Sequence, residues 1–594
     1  MNTRLWHPLP RALWLVAAAY AALALAYNFV QPPFEPSDEQ YQFGYVRYLV
    51  DHLALPVARR GELSGYHHPP LYFALVAMVN WPFPAPDLAG YDTRLNPHAR
   101  YRHWEPGVDN KNLYLHGPWD AWPFHDTALA VRAARLVSLA LGLATVTLTY
   151  QTARSLFDEP TALAAAGLTA FTPMFTSLSG ALQNDLGAAA AGAVVIRLGA
   201  HYAQTGFTFR RAALLGALAG LAALMKLTAA FLLPAAGLLA LAAAWRARTG
   251  AHSRASLQFF GVFVLGATAA AGWWFGRNMW LYGDPTANNI NLANFGGQTS
   301  LWEGVQLWPE MLPYAWTTYW GRIGHGGIVL PDWLYQGLAA MTAVALAGLV
   351  IRWRRHPPDL AGAFLITAGG FVLLGLLIYV TLSPTGANGR YAYPAIAAYA
   401  ALLAAGLLQL APAGVRPRVA GGLAAGMAAF SAAVLFVFVW PVYTPPPALA
   451  GLPAGATPLA ANLGDTARLR GYAVDASQAG PGDRVHLTVY WEPLSLTDRP
   501  YSVYVHLLSG DRLIAQRDTY PGLGRNPTTA WQPGRLFADT YAVILPDDAP
   551  AGDAEWKVGL WQAETGDYAF LLDAAGQPID SGLRFGRLTI RPGP

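Results

Sequence analysis

The chain of 594 residues contains no cysteine and carries little charge. Without cysteine it can form neither disulfides nor thiol-dependent active sites nor cysteine-ligated metal centres. Charged residues make up 12% of the chain, against about 25% in average soluble domains. The net charge of +4 is spread thinly and forms no basic run, which gives no support for nucleic-acid binding. Only three of the 39 basic residues are lysine: Lys111, Lys226 and Lys557.

Apolar residues of the AVILMFWYC group make up 54% of the chain, and their long runs predict a polytopic membrane protein. A spanning helix needs about 20 mostly apolar residues. Nine runs approach or exceed that length: 12–30, 128–150, 161–179, 186–203, 257–276, 333–351, 361–382, 391–411 and 419–440. The run at 212–244 is too long for one span and contains Lys226, so we expect two helices there and eleven spans in total. The shorter run at 71–79 predicts an interfacial helix.

Basic residues alternate between the two sides that eleven spans define. The segments of one side carry Arg4, Arg11, Arg154, Arg210, Arg211, Arg246, Arg248, Arg254, Arg352, Arg354, Arg355, Arg416 and Arg418. The short segments of the other side carry only Lys226 and Arg390. Cytoplasmic loops are enriched in arginine and lysine, so the pattern predicts a cytoplasmic N-terminus and an extracytoplasmic C-terminal part. The first run exceeds the usual apolar length of a signal peptide, which favours a retained helix over a cleaved signal.

A different pattern begins at about residue 455. Short runs at 484–491, 501–508, 539–545 and 555–561 alternate apolar and polar residues and are separated by turn sequences. This alternation predicts an antiparallel β-sandwich. We therefore expect a mainly α, polytopic membrane domain at 1–442 with an outer loop at 31–127 that carries interfacial helices, a linker at 443–458 and an all-β domain at 459–594. Most tryptophans of the sandwich should be core, and a glycan- or acceptor-binding role for the others stays open.

An acidic pair follows the first predicted span. Asp38 and Glu39 come directly after Ser37, at the start of a helical pattern. One interpretation is that Ser37 and the two acids cap the helix, whose N-terminus favours negative charge. The other is that an acid at the membrane surface serves as a general base.

Further polar residues gather at the same predicted face: His67, His68, Arg132, Arg135, Asp185, Lys226, Arg277, Arg390 and Tyr391. Each has an ordinary explanation of its own. The arginines of the second span could pair with a structural carboxylate such as Asp126, and Gln183-Asn184-Asp185 is common turn chemistry. Together, acids and cations at one face suit a reaction in which a hydroxyl is deprotonated and a lipid-linked phosphate leaves.

Seven short motifs in this order resemble one enzyme group. They are "PSDEQY", "HHPPLY", "RAARL", "QND", "ALMKLTA", "WWFGRN" followed by "YGDP", and "NGRYAYP". Over about residues 10–440 the chain is similar to the GT-C glycosyltransferases that use polyprenyl-phosphate sugars, which include protein O-mannosyltransferases and aminoarabinose transferases. The resemblance implies transfer of a hexosyl or pentosyl unit from an undecaprenyl- or dolichyl-phosphate carrier to a glycan, lipid or protein acceptor outside the cell.

The resemblance also implies roles for particular residues. The catalytic acid falls on Asp38, with Glu39 beside it, and the acid of the second outer loop falls on Asp185. The cations that face the phosphate fall on Arg132, Lys226 and Arg390. The histidine pair occupies the place of a lysine in aminoarabinose transferases. Metal dependence varies in this superfamily, so the resemblance assigns no cofactor and leaves a divalent metal open.

Two other functions compete with an enzyme. A secondary transporter also holds ionisable residues among spanning helices, but it places them near the midplane on broken helices. A surface-anchored binding protein would act through its sandwich alone. Clustering of Asp38, Asp185 and His67 in one cavity favours the enzyme.

Overall fold

The computed structural model describes residues 5–99, 110–245, 252–297, 300–383 and 386–593. Of the arginines that define sidedness, Arg4, Arg246 and Arg248 lie outside these ranges. The chain divides into two compact units. The membrane unit comprises Met1–Ala85 and Leu129–Val439, and the β unit comprises Pro86–Ala128 and Trp440–Pro594.

The α-helices follow one another through most of the membrane unit. In chain order they are α1 (Arg11–Val30), α2 (Glu39–His52), α3 (Leu71–Asn80), α4 (Asp126–Leu156), α5 (Glu159–Ala170), α6 (Pro173–Ser179), α7 (Asn184–Thr205), α8 (Phe209–Met225), α9 (Leu232–Trp245), α10 (His252–Tyr282), α11 (Asn288–Phe295), α12 (Leu301–Gln306), α13 (Trp308–Trp320), α14 (Asp332–Arg355), α15 (Leu360–Leu382), α16 (Ile396–Gln409), α17 (Arg416–Ala433) and α18 (Trp440–Tyr443). Short 3₁₀ helices at Leu227–Phe231 and Gly389–Ala395 precede α9 and α16.

Eight helices in the described ranges are long and apolar enough to cross a membrane. A ninth span results if α5 and α6, which are bent by 63°, count as one. The run at 212–244 forms two shorter helices, α8 and α9, which meet next to Lys226 as predicted. The predicted interfacial helix is α3, whose ten residues are too few to span. The chain is thus a multi-pass membrane protein, and the predicted total of eleven is reached only with the bent pair and both shorter helices.

Small residues bring α14 and α16 into direct backbone contact. A Cβ atom on Gly348 would lie 2.1 Å from the carbonyl oxygen of Gly406, and one on Gly406 would lie 1.9 Å from that of Ala345. Neither space admits a side chain. Close packing of this kind replaces the hydrophobic effect as the source of helix association in a bilayer, and it fixes α16 beside the 3₁₀ helix that carries Arg390.

A buried ion pair joins the start of α2 to α4. Both carboxylate oxygens of Glu39 accept hydrogen bonds from Arg135, from Nε at 2.8 Å and from Nη2 at 2.6 Å. The same carboxylate accepts from the backbone N–H groups of Phe34 and Leu182. Arg135 donates further to the carbonyl oxygens of Gln31 and Pro32. Both side chains are fully buried. We call this ion pair the clamp, because it fixes the position of the segment that follows α1.

The β unit contains two sheets whose strands are mostly antiparallel. Its strands are β1 (Thr457–Leu463), β2 (Ala467–Val474), β3 (Gln478–Ala479), β4 (Arg484–Pro493), β5 (Ser502–Ser509), β6 (Arg512–Thr519), β7 (Phe537–Ile544), β8 (Gly552–Trp561), β9 (Tyr568–Ala569), β10 (Leu571–Leu572), β11 (Pro578–Asp580) and β12 (Leu583–Ile590). One sheet has the order β11-β10-β1-β2-β4-β7, and the other has β3-β12-β8-β5-β6, with β9 paired to β8. All four alternating runs are confirmed as β4, β5, β7 and β8.

The sandwich core forms from the inward residues of both sheets. Trp491, Trp531 and Trp556 are each at most 2% exposed and belong to this core, whereas Trp561 is half-buried. The segment 86–128, which sequence patterns place within the outer loop, packs in this unit. There Asn110 Nδ2 donates to Thr519 Oγ1 at 2.7 Å, and Asn112 Nδ2 donates to the Gly524 carbonyl at 3.1 Å.

A buried carboxyl group in β7 gives the β unit a pH-dependent stability. Asp539 accepts hydrogen bonds from the Tyr541 hydroxyl and the Gly522 backbone N–H. Burial raises the pKa of Asp539 to about 6, although these two hydrogen bonds oppose the rise. Because the pKa is higher in the folded state, Asp539 stabilises the fold most at low pH, and this contribution is lost as pH rises through 6.

Replacement of Glu39 by glutamine should destabilise the membrane unit, because it leaves Arg135 buried without its counter-charge. We expect a loss of about 3–5 kcal/mol, seen as a lower midpoint of thermal unfolding in detergent. Asp51→Asn is the matched control, because Asp51 is half-exposed and pairs with Arg47 on the surface of α2. That variant should lose less than about 1 kcal/mol. Equal midpoints for the two variants would contradict the clamp.

Asp539→Asn should remove the pH dependence that Asp539 confers. Between pH 8 and pH 5 the parent should gain about 1 kcal/mol of stability relative to this variant. Hydrogen exchange of β7 peptides, compared between parent and variant at each pH, measures the difference and cancels the intrinsic pH dependence of exchange. A parent-to-variant difference that is the same at both pH values would refute the assignment.

Candidate functional site

Asp38 is the exposed acid of the site. It lies between α1 and α2 with a left-handed backbone (φ 65°), and its side chain forms no cap on α2. The capping interpretation is therefore wrong for Asp38. Its Oδ2 instead accepts a hydrogen bond from Arg390 Nη2. The Asp38 side chain is 46% exposed, whereas that of Arg390 is 1% exposed, so the acid is reachable while its partner is enclosed.

A second acid and a lysine complete the charge cluster, which we define as Asp38, Asp185, Lys226 and Arg390. Asp185 lies in the first turn of α7, and its Oδ1 accepts from Lys226 Nζ at 2.6 Å. Its Oδ2 lies 3.7 Å from Arg390 Nε. Lys226 follows the last residue of α8, where the chain leaves the helix, and Arg390 lies in the 3₁₀ helix before α16. Breaks in helices thus position both cations.

The aromatic ring of Tyr391 lies close to both of these cations. Lys226 Nζ lies 4.5 Å from the centre of the Tyr391 ring, and the Arg390 guanidinium carbon lies 5.8 Å from it. A cation over an aromatic face is attracted by the ring's electron density. The ring therefore keeps both positive groups at the same spot in a buried environment.

The charge cluster lowers the pKa of Asp38. Burial opposes ionisation, but the positive charges of Arg390 and Lys226, together with His325, favour the carboxylate more strongly. Asp38 is consequently a carboxylate at neutral pH. Its basicity is low as long as Arg390 remains its partner.

The histidine pair lies within electrostatic range of the cluster. The two rings contact each other, with centres 4.1 Å apart. Burial lowers the pKa of His67 to about 4, and although Asp38 opposes this shift, it does not reverse it. Burial also lowers the pKa of His68, and the nearby His67, Lys226 and Arg390 lower it further. Both imidazoles are therefore neutral at physiological pH.

Several buried polar atoms at the cluster have no hydrogen-bond partner among the described residues. They are Arg390 Nε, Asp185 Oδ2 and both side-chain atoms of Asn184. Buried polar groups in proteins are nearly always hydrogen-bonded. Arg390 Nε and Asp185 Oδ2 lie 3.7 Å apart as an ion pair without a hydrogen bond, so hydrogen-bonding capacity remains unused at this place.

The other residues singled out in the sequence have structural contacts. Glu39 and Arg135 form the clamp between α2 and α4. Arg132 donates from Nη1 to the carbonyl oxygen of Asn28 at the end of α1. Arg277 donates from Nη2 to the carbonyl oxygen of Pro56 at 2.6 Å. Its guanidinium lies 5.0 Å from the Trp274 ring centre.

Two residues contribute to the site without a sequence signal for that role. Gln183 donates from Nε2 to the Ser37 carbonyl, and its Oε1 lies 3.4 Å from Arg390 Nη1. His325 lies between α13 and α14, with Nε2 at 3.2 Å from the Phe34 carbonyl oxygen. Gln183 was visible only as part of a turn motif, and His325 only as a polar residue between glycines. Contacts made across the helix bundle have no local pattern.

An apolar groove of about 740 Å³ adjoins the 3₁₀ helix that carries Arg390. It lies between α13, α14, α15 and α16, and Gly389 and Ala392, on either side of Arg390, line it. Most of its surface is aliphatic or aromatic, from residues such as Leu312, Trp316, Tyr319, Leu346, Leu373 and Leu402. The groove is thus an apolar surface that includes part of the 3₁₀ helix carrying Arg390.

Within the described residues, no group of three or more histidine, aspartate or glutamate side chains has the arrangement of a metal site. The charges of the cluster are instead balanced by one another, two acids against two cations.

One family model matches the chain. It is that of the dolichyl-phosphate-mannose-protein mannosyltransferases, and it covers residues 126–274. The matched stretch includes Asp185 and Lys226 but neither Asp38 nor Arg390. No curated protein matches the sequence.

Among solved structures the chain is similar to ArnT from Cupriavidus metallidurans bound to undecaprenyl phosphate, with 15% identity, a TM-score of 0.41, and coverage of 71% of this chain and 64% of ArnT. A second structure of ArnT, in the apo state, gives 14% identity with the same TM-score and coverage. The oligosaccharyltransferase of Archaeoglobus fulgidus, in complex with Zn and sulfate, gives 13% identity, a TM-score of 0.35, and coverage of 73% and 52%. This chain therefore spans less than two thirds of each of these proteins.

The family match confirms the resemblance that the motifs indicated. Over residues 126–274 the chain is similar to the dolichyl-phosphate-mannose-protein mannosyltransferases.

Proposed function

We propose that the protein is a membrane glycosyltransferase that moves a sugar from a polyprenyl-phosphate carrier to an acceptor hydroxyl, with Asp38 as the general base. The observation that carries the proposal is the charge cluster. A single exposed carboxylate is held by a buried arginine, beside a second acid and a lysine. A base and the counter-charges for a departing phosphate thus share one site.

The proposed reaction is a displacement at the anomeric carbon of the donor sugar. The acceptor oxygen attacks the anomeric carbon of the donor sugar, and the bond between that carbon and the phosphate oxygen breaks. The hydroxyl proton passes to Asp38, and the polyprenyl phosphate leaves with the additional negative charge. Arg390 and Lys226 neutralise that charge as it develops, which stabilises the transition state in a buried, low-dielectric site.

Arg390 links donor binding to the basicity of Asp38. A phosphate oxygen is an attractive partner for a guanidinium group, and Nε of Arg390, which lies 3.7 Å from Asp185 Oδ2 without a hydrogen bond, can donate to it. A phosphate that draws Arg390 away from Asp38 removes the main positive charge that lowers the pKa of Asp38. Asp38 would then become a stronger base only when the donor is bound.

The apolar groove suits the carrier tail. An isoprenoid chain needs an apolar surface along its length, and the lining of the groove includes Gly389 and Ala392 of the 3₁₀ helix that carries Arg390. The same arrangement keeps the phosphate near the membrane surface, since the tail remains among the spanning helices.

Glu39 and Arg135 have, in this proposal, a structural role, although the resemblance placed Glu39 beside the catalytic acid. Both are fully buried, and both Glu39 oxygens are occupied by protein donors. An acid without a free oxygen cannot accept a proton from a substrate. Arg132 and Arg277 are likewise assigned to holding chain segments, while His67 and His68 remain candidates for donor binding as neutral hydrogen-bonding groups.

The alternation of arginines along the sequence supports a site on the extracytoplasmic face. Asp38 follows the first span and so lies on the side opposite the arginine-rich segments. The N-terminus is then cytoplasmic and the β unit extracytoplasmic. Carrier-linked sugars consumed on this face would meet acceptors of the cell envelope.

Asp38→Asn should lower sugar transfer by about 10²–10⁴-fold, since the amide cannot take the hydroxyl proton. The measurement is polyprenyl phosphate released from a panel of polyprenyl-phosphate sugars in membrane vesicles that contain the protein. Asp51→Asn serves as the control, because Asp51 lies near the end of α2 that is distant from Asp38, is half-exposed and pairs with Arg47. Turnover by Asp38→Asn close to that of the parent, with unchanged thermal stability, would remove Asp38 from the base role.

Arg390→Ala should weaken donor binding by roughly 10- to 100-fold, because a charge-assisted, two-pronged contact with phosphate is lost. Arg390→Lys should restore part of this affinity, since lysine keeps the charge without the planar fork. The exposed Arg60 provides the control variant Arg60→Ala. Donor affinity is measured by titration of a fluorescent polyprenyl-phosphate sugar, and an affinity that does not change in Arg390→Ala would contradict the assignment.

A further inference from the structure

A polar pocket lies on the outward face of the second sheet of the β unit. On β5, Val503 and Val505 point into the core, so Tyr504 and His506 face outward. The strand register pairs Tyr504 with Asp518 and His506 with Gln516 on β6. On the other side it pairs His506 with Lys557 on β8. Alternation along three adjacent strands thus gathers polar side chains on one face. We call this place the sheet pocket.

Two glycines shape the floor of the sheet pocket. A Cβ on Gly559 would lie 2.5 Å from Tyr504 Cζ, and one on Gly582 would lie 2.3 Å from the Tyr504 hydroxyl oxygen. Only glycine leaves room for the Tyr504 ring to extend across the neighbouring strand. The hydroxyl of Tyr504 is then held by Ser581 Oγ at 3.2 Å. The resulting cavity has a volume of about 370 Å³.

Aromatic rings line one wall of this cavity. Tyr568 is 41% exposed, and the register pairs it with Trp561 on β8. The Tyr568 ring meets the edge of Tyr504, with centres 6.1 Å apart. A large, exposed aromatic side chain at the rim of a cavity is typical of a binding surface rather than of a core.

The polar groups of the sheet pocket are nearly balanced in charge and partly unpaired. Lys557 Nζ binds Asp580 Oδ1 at 2.6 Å, and His506 Nε2 lies 3.7 Å from Asp518 Oδ1. That oxygen of Asp518 and Nε1 of Trp561 are buried without a hydrogen-bond partner among the described residues. The cavity therefore offers one unused acceptor and one unused donor, and its lining contains one lysine, Lys557, and one aspartate, Asp518.

We propose that the sheet pocket binds a neutral saccharide. A sugar ring presents C–H groups on one face, which pack on Tyr568, and hydroxyls at its edge, which both donate and accept. Such hydroxyls match the unused acceptor of Asp518 and the unused donor of Trp561. Balanced charges give no attraction for an anionic or cationic ligand. The volume of the cavity is within the range of small-molecule sites, and the β unit thereby acquires a binding role that is separate from the charge cluster.

The test is binding of neutral oligosaccharides of glucose, galactose, mannose and N-acetylglucosamine to the full-length protein, measured by saturation-transfer NMR. The protein is held in lipid nanodiscs, because detergents with sugar headgroups would compete. At least one of these oligosaccharides should bind to the parent. Asp518→Asn and Tyr568→Ala should each weaken that binding about tenfold or more. Gln516→Ala, at an exposed position that carries no folding risk, should weaken it measurably.

Two controls separate the sheet pocket from other sites. Leu513 is exposed on β6 outside the pocket, so Leu513→Ala should bind as the parent does. A signal that disappears in Asp38→Asn but persists in Asp518→Asn would assign the binding to the membrane unit and overturn the proposal. Absence of binding by any neutral oligosaccharide, or binding only of charged ones, would also overturn it.

Discussion

A charge that is buried among apolar helices must be paired, and the membrane unit satisfies this requirement in two different ways. Glu39 and Arg135 saturate each other and the surrounding backbone. Asp38, the preceding residue, meets Arg390 with one oxygen and stays half-exposed. In a saturated pair, hydrogen bonds offset the cost of desolvation and leave no atom free for a ligand, whereas an unsaturated pair can exchange its partner for a substrate. Of these two adjacent acids, Glu39 thus has a structural role and Asp38 has the proposed chemical one.

The members of the charge cluster lie at the ends of helices or at breaks between them. Lys226 stands where α8 ends, Arg390 lies in a 3₁₀ helix, and Asp185 opens α7. A side chain at such a position can turn toward a common centre without competing with the regular packing of a helix face. The close contacts of α14 with α16 then hold Arg390 at that centre, because helices without side chains between them cannot slide apart freely.

Sequence patterns predicted most of the fold, because hydrophobic length and alternation are local properties. They predicted the long apolar helices, the two shorter helices around Lys226, and the four strands β4, β5, β7 and β8. They also named Asp38, Asp185, Lys226 and Arg390 as members of one face. They could not tell Asp38 from Glu39, since that depends on which partner lies across the bundle. The packing of residues 86–128 in the β unit was missed for the same reason, because long-range contacts leave no local periodicity.

Two tryptophans on one strand of the β unit show the same limit of prediction from sequence. Trp556 and Trp561 both belong to β8, yet the first is core and the second lines the sheet pocket. Counting tryptophans could not separate them, whereas the strand register and the glycines at 559 and 582 do. The two proposed binding places of the protein therefore have a common origin. Each arises where a regular element leaves polar atoms without a partner inside the protein.

The most direct test of the central claim is whether the membrane unit selects phosphate at the end of a lipid chain. Native mass spectrometry of the protein, exposed to equal concentrations of polyprenyl phosphate and of the uncharged polyprenol of the same length, measures this selection. The account predicts that the phosphate form occupies the protein at least about tenfold more tightly, because Arg390 and Lys226 engage its headgroup. Equal occupancy by both lipids would show that the apolar groove binds alone and would contradict the role given to the charge cluster.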